Sequence, residues 1–189
     1  GDRIAVYRLR LPDAPDAASN ALRWPGSPLL VYRMAMAFEL DESRLIEAPI
    51  DRVWSVIVDL AAYSEWNPFV VFARSTLVVG DPIEMRVRLV PPLVQPQRET
   101  IFECVPEQRL VYGLDGTAIH SRRSHELAKA GEDVTRYRSH FRLGGRLEPL
   151  TRWLLGRRLA NGFEAMTRQL ALRAESLHRA GVNLPEVRS

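Results

Sequence analysis

The chain has 189 residues, 46% of them hydrophobic and 26% charged, with a formal net charge of +3 and a pI near 9.4. That is enough for one domain with a substantial core, and no apolar run approaches the roughly 20 residues of a membrane-spanning helix. Among the 26 basic residues only Lys129 is a lysine. Arginines thicken at Arg136, Arg138, Arg142, Arg146, Arg152, Arg157 and Arg158. Acidic residues interrupt them and no aromatic residues interleave, so nucleic acid is not an expected partner. The only cysteine, Cys104, rules out an intrachain disulfide and fits a reducing compartment. Within Ile101-Phe102-Glu103-Cys104-Val105 it reads as a buried core thiol rather than a nucleophile. The first ten residues lack the layout of a secretory signal, and the expected location is the cytoplasm.

Residues 1–33 are broken by Pro12, Pro15, Pro25 and Pro28, with Asp13, Asp16, Ser19 and Asn20 as turn formers. They read as an irregular N-terminal arm with one short strand at Ile4–Leu9. Trp24, Leu29, Leu30 and Tyr32 are the side chains able to pin it to the body or to a second subunit. A homodimer through the arm and a loose extension are both open. From Met34 to Ile46, Met36, Phe38 and Leu40 recur at period two, which predicts a strand. Pro49 suits the first turn of a helix, and Val53, Trp54, Ile57 and Val58 give that helix one apolar face. Asp59 ends or caps it. Leu60–Trp66 reads as a second short helix, closed before Pro68.

Strands are then predicted at Phe69–Val79, Ile83–Val90, Arg98–Val105, Arg109–Leu114, Arg122–Ala128 and Val134–Leu143. Turn signals part them: Gly80-Asp81-Pro82, Pro91-Pro92, Pro106, Gly113 to Gly116 and Gly131-Glu132-Asp133. Pro149–Ala180 is helical, with Leu155, Leu159, Phe163, Met166, Leu170, Ala174 and Leu177 in one stripe. Gly181 is placed to stop it. The body thus spans 34–180, followed by a short tail, 181–189. The stripe must be buried against something, and the only sizeable partner is one face of the sheet. The expected class is α+β: a curved antiparallel sheet wrapped around a long C-terminal helix, with two short helices after the first strand. Core packing and partial lining of a cavity are compatible roles for the stripe.

Ala48-Pro49 with Val53-Trp54, then Asp59, Tyr63 and Trp66-Asn67-Pro68, resembles the opening of START-like or Bet v 1-like helix-grip domains, the SRPBCC superfamily. Phe141-Arg142-Leu143-Gly144-Gly145-Arg146-Leu147-Glu148-Pro149-Leu150, followed by Gly162-Phe163-Glu164-Ala165-Met166, is similar to the bacterial polyketide cyclase/dehydrase-like branch. The resemblance covers about residues 36–178. It implies a small hydrophobic ligand in an internal cavity: aromatic, lipid-like or polyketide-like. Some members of the superfamily are enzymes and others only bind.

Strand alternation sorts the candidate site. Met85 and Val87 share a face with Ile83 and Leu89, Tyr112 and Leu114 with Leu110, Arg123 and His125 with Leu127, and Tyr137, Ser139 and Phe141 with Leu143. Trp66 is a bulky wedge at one end of the sheet. Leu155, Leu159, Phe163 and Met166 supply the apolar lining from the helix. A few polar groups in an apolar cup orient a ligand. A cyclase, aromatase or dehydratase would need a proton carrier, for which His125 is the candidate. It would also need a partner for an enolate oxygen, for which Arg123 is the candidate with Tyr137 as donor. Structural hydrogen bonding is the competing reading of each, and a one-residue slip would turn the set outward. His120 and His125 lack a metal-ligand pattern, His140 is expected to face solvent, and no cofactor is expected. A protein-interaction module is a third reading, with the arm around Trp24 as its apolar patch.

Overall fold

The computed structural model describes residues 38–181. The arm at 1–33, its short strand at Ile4–Leu9, Met34, Met36 and the tail from residue 182 lie outside the described residues. Seven strands form one antiparallel sheet: β1 Phe38–Ile46, β2 Val70–Arg74, β3 Pro82–Val90, β4 Leu93–Val105, β5 Arg109–Gly113, β6 His120–Lys129 and β7 Thr135–Gly144. Their order is β1-β7-β6-β5-β4-β3-β2, a meander from β2 to β7 closed on its far side by β1. Helices α1 (Ile50–Val58) and α2 (Tyr63–Trp66) lie between β1 and β2, and α3 (Glu148–Arg179) follows β7. This is the helix-grip arrangement. No helix among the described residues is long and apolar enough to cross a membrane.

Pro49 is the N-cap of α1 rather than part of its first turn, with ψ at an extended 159°. Its carbonyl accepts from the Arg52 and Val53 N–H groups, each at 3.1 Å. The proline supplies the fixed φ of a helix entry without having to donate. Val53, Val56, Ile57 and Val58 are the buried face of α1, and Trp54 is only half-buried. Asp59 closes α1 and caps the next turn by accepting from the Ala62 N–H at 3.3 Å. The second short helix is split into a 3-10 turn, Leu60–Ala62, and the single α turn of α2. Asn67 then launches β2, because its Oδ1 accepts from both the Phe69 and Val70 N–H groups.

Two strand boundaries differ from expectation. β2 ends at Arg74, not at Val79. Beyond it the Leu77 N–H donates to Ser75 Oγ, the Val78 N–H donates to Thr76 Oγ1, and Leu77 takes a φ of 61°. Hydroxyls thus supply local partners in place of a ladder. β4 starts at Leu93, five residues before the expected Arg98. The prolines at 91 and 92 make a tight turn, so β3 and β4 pair from Val90↔Leu93 onward. β5 covers only Thr100–Val105, which leaves Pro96 on a stretch with one neighbour, where its missing N–H is tolerated.

Helix α3 packs on the sheet through the expected stripe. Met166, Leu170 and Ala174 are fully buried, joined by Ala171 and Thr167, while Leu155, Leu159, Phe163 and Leu177 are partly buried against the core. Each large side chain so buried contributes about 1.5–3 kcal/mol. Gly162 lets the helix approach the sheet, since a Cβ there would run into the Phe69 ring. Gly181, at φ +64°, takes the left-handed conformation that stops the helix. Cys104 is half-buried against the core rather than fully enclosed, and burial pushes its thiol pKa up.

Candidate functional site

Five polar side chains point from the sheet toward α3: Tyr112 on β5, Arg123 and His125 on β6, and Tyr137 and Ser139 on β7. All are buried. The register puts Arg123 opposite both Tyr112 and Phe141, and His125 opposite Ser139. With a period of two, fixing Arg123 inward fixes the others, because each strand is held by ladder bonds to its neighbour.

His125 joins two phenols. Its Nδ1 lies 2.7 Å from Tyr137 Oη and its Nε2 lies 3.3 Å from Tyr112 Oη. The imidazole stacks on Tyr112 with ring centroids 5.7 Å apart. Burial pushes the His125 pKa well below its ordinary value, and the Arg123 charge pushes in the same direction. The ring is therefore neutral, so one nitrogen donates and the other accepts. Burial also raises both phenols above their ordinary range, which keeps them protonated.

Arg123 is the one buried cation of the cluster, 2% exposed, with its guanidinium 3.7 Å from the centroid of the Phe163 ring. Its Nε and Nη2 have no hydrogen-bond partner among the described residues. Two carboxyls face it from other strands. Glu42 on β1 is raised above its ordinary pKa by burial, and Glu99 on β4 is raised by burial to about 7, with Arg123 opposing the shift in both. Neither was among the expected site residues, although Glu42 is in step with Phe38 and Leu40 on β1 and Glu99 is in step with Ile101 on β4. Glu42 shares a row of the sheet with Ser139 and His125.

The space at this cluster is small. A cavity of about 20 Å3 is bounded by Leu40, Glu42, Arg123, Ser139, Ala160 and Phe163, room for a single water. Of the expected lining residues, Ser139 and Phe163 reach this cavity, and the Phe141 ring meets that of Phe163 at a tilt of 55° with centroids 5.0 Å apart. Trp66, Met85, Val87 and Met166 belong to the packed core instead, with Trp66 set edge-on to Tyr63. Leu155 and Leu159 are partly buried against that core. Leu114 lies past the end of β5, half-buried and outside the core cluster. His120 is exposed at the start of β6, and His140 faces Glu39, 3.9 Å away, on the outer side of the sheet. A larger open groove of about 510 Å3 lies on the convex side, at Phe72, Arg86, Pro96 and Arg98, away from the polar cluster.

Solved structures share this fold. The aromatase/cyclase Zhui from Streptomyces sp. R1128 superposes with a TM-score of 0.66 at 14% identity, covering 78% of this chain and 99% of its own. A START superfamily protein from Mycobacterium smegmatis gives 0.55 at 12% identity, covering 76% and 99%. Norcoclaurine synthase from Thalictrum flavum, solved with dopamine and hydroxybenzaldehyde, gives 0.57 at 14% identity, covering 82% and 95%. These likenesses place the chain in the START/Bet v 1-like fold. No curated protein matches it in sequence. The sequence model that matches residues 37–175 is that of the family described as "Polyketide cyclase / dehydrase and lipid transport", and this chain belongs to that family.

Proposed function

We propose that this protein binds a small, mostly apolar molecule carrying a carbonyl or carboxylate oxygen, held between the concave sheet face and α3 with that oxygen at Arg123. The observation that carries the reading is a guanidinium 2% exposed with two N–H-bearing nitrogens unbonded among the described residues. Buried donors in folded proteins are paired in the great majority of cases, and leaving donors of a charged group without an acceptor is costlier than leaving neutral ones. An oxygen on an incoming ligand supplies the missing acceptor, while Phe163 and Phe141 supply the apolar walls. A cavity of about 20 Å3 is far below the roughly 300 Å3 or more of a typical small-molecule site, so binding requires the partly buried side chains Leu155, Leu159 and Phe163 to move outward.

The test pairs each acid or ketone with the hydrocarbon of the same shape, 2-naphthoate with naphthalene first. At a concentration 100 times its dissociation constant, a true ligand stabilises the folded chain by about 2.7 kcal/mol. The oxygen-bearing member should raise the melting temperature more, and Arg123→Met should erase the difference. Equal shifts within every pair, or none across the panel, would reject the reading.

A catalytic version is favoured by Glu99, whose carboxyl is held near neutrality. In a poly-β-ketone substrate, Glu99 or the neutral His125 takes a proton from a methylene flanked by two carbonyls. The enolate oxygen is stabilised at Arg123. The enolate carbon attacks a second carbonyl of the same chain, and the proton returns to the new alkoxide, directly or through Tyr137. Cyclisation of a poly-β-ketone mimic, followed by absorbance, should fall at least tenfold in Glu99→Gln or His125→Gln. If the unaltered protein forms no product, the catalytic version fails and the binding reading stands on the thermal test alone.

A further inference from the structure

Helix α3 carries a second apolar face that points away from the sheet. Leu147, just before the helix, is 46% exposed; Leu150 is 52%, Trp153 80% and Leu154 51% exposed. At three- and four-residue spacing they share one side of the helix, opposite the side that holds Leu155, Leu159 and Phe163. A nearly bare tryptophan inside a row of leucines is not a scatter of single apolar residues but a contiguous patch, the kind that marks a contact surface.

The chain itself delivers a partner to that patch. The described body begins at Phe38, and the Phe38 ring lies against Gly156, where an added Cβ would meet it at 3.4 Å. Gly156 is three residues from Trp153, about 4.5 Å along the helix axis. The first described residue therefore lies within about one turn of the bare tryptophan, and the segment before it is covalently tied there. That segment carries Leu29-Leu30-Val31-Tyr32 and Met34-Ala35-Met36. Extended at about 3.3 Å per residue, the eight residues from 29 to 36 reach about 26 Å, against about 14 Å of helix between Leu147 and Gly156. The reach is ample, and covalent attachment holds these residues near the patch at a local concentration on the order of millimolar.

We propose that residues 29–36 of this chain dock intramolecularly on the outer face of α3, covering Leu150, Trp153 and Leu154. The proposal is independent of the ligand reading, since it involves neither Arg123 nor the interior cavity. Two other occupants match parts of the same chemistry. A second copy would bring an identical apolar face, and an anionic lipid surface would suit the flanking Arg146, Arg152, Arg157 and Arg158.

The test uses the full chain with the photo-reactive residue p-benzoyl-phenylalanine in place of Trp153, irradiated alone and with phosphatidylglycerol vesicles, then digested and mapped by mass spectrometry. Cross-links within one chain into residues 29–36 are expected in both arms. A product of doubled mass, cross-links to lipid in place of the chain, or cross-links only to other segments would overturn the proposal. A second measurement guards against a perturbed label. In the full chain, Leu29→Asp with Leu30→Asp should at least double iodide quenching of the Trp153 emission, isolated as the difference from a matching Trp153→Phe chain. Quenching unchanged by the two aspartates would also overturn it.

Discussion

The two halves of α3 differ more than their sequence pattern suggests. Around Met166, Leu170 and Ala174 the inward face of the helix is fully buried in the core. Polar contacts lock the same half in place: Arg173 reaches Glu65 of α2 at 2.8 Å, and the Glu47 N–H donates to Glu175 at 3.3 Å. Around Leu155 and Leu159 the same stripe is only partly buried, and it lies over the end of the sheet that holds Arg123 and the small cavity. One helix therefore serves as a core element at one end and as a displaceable wall at the other. The physical difference lies in what each half meets: around Gly156–Phe163 the helix faces the rings of Phe38, Phe69 and Phe141 and the Arg123 guanidinium, with the small cavity between them.

Several measurements would break or sharpen that contrast. The largest effect is expected from Leu170→Ala, which empties a fully buried site and should cost about 3 kcal/mol in a denaturant titration, against about 1 kcal/mol for Leu159→Ala. Equal losses would remove the distinction between the halves.

Next comes the pH dependence set by Glu99. Its pKa in the folded chain, raised to about 7, lies above the ordinary 4.5, so between these values the folded chain keeps a proton that the unfolded chain has lost. Stability contributed by the protonated carboxyl is complete below about pH 4.5 and is lost as pH rises toward 7. Glu99→Gln should remove that decline, making the variant more stable at pH 8 by up to about 3 kcal/mol and no different at pH 4. The depressed His125 pKa acts in the opposite direction, as pH falls, but it is shared by both chains and cancels in the difference. Identical pH profiles for parent and variant would mean that this end of the interior is wetter than the structure implies.

Hydrogen exchange should be faster on the slack half. Amides around Leu154–Leu159 should exchange roughly 30-fold faster than those around Met166–Leu170, about 2 kcal/mol less protected, and a bound ligand should narrow the gap. Uniform protection along α3 would contradict a movable wall. The smallest change is expected from Leu172→Ala. Leu172 sits in the gripped half but faces outward, 49% exposed, and its loss should stay within about 0.5 kcal/mol. A larger loss would show that position along the helix, not burial, sets the cost.

Much of this arrangement was legible beforehand, and for definable reasons. Period-two alternation placed Arg123, His125, Tyr137 and Ser139 on one face because the pleat leaves no other choice. The 3.6-residue stripe identified which face of α3 turns inward. Asp59, Pro68 and Gly181 marked breaks that the structure keeps, each through backbone chemistry confined to a few residues. The misses have definable places too. The first half of β4, Leu93–Gln97, was not expected as strand, and Glu99 lay inside the expected strand but was not singled out. The apolar run after Arg74 read as strand although Ser75 and Thr76 tie up its backbone.

The sequence by itself determined the kinds of element, their order and the faces they bury, because those follow from chain geometry within a few residues. Only the tertiary structure decided that the cavity at Arg123 holds about 20 Å3, that two Arg123 nitrogens have no hydrogen-bond partner among the described residues, and that the inward stripe of α3 is fully buried at Met166–Ala174 but partly buried at Leu155–Phe163. Such outcomes depend on the separation of elements distant in sequence, which is set by how the volumes of many side chains fit together at once.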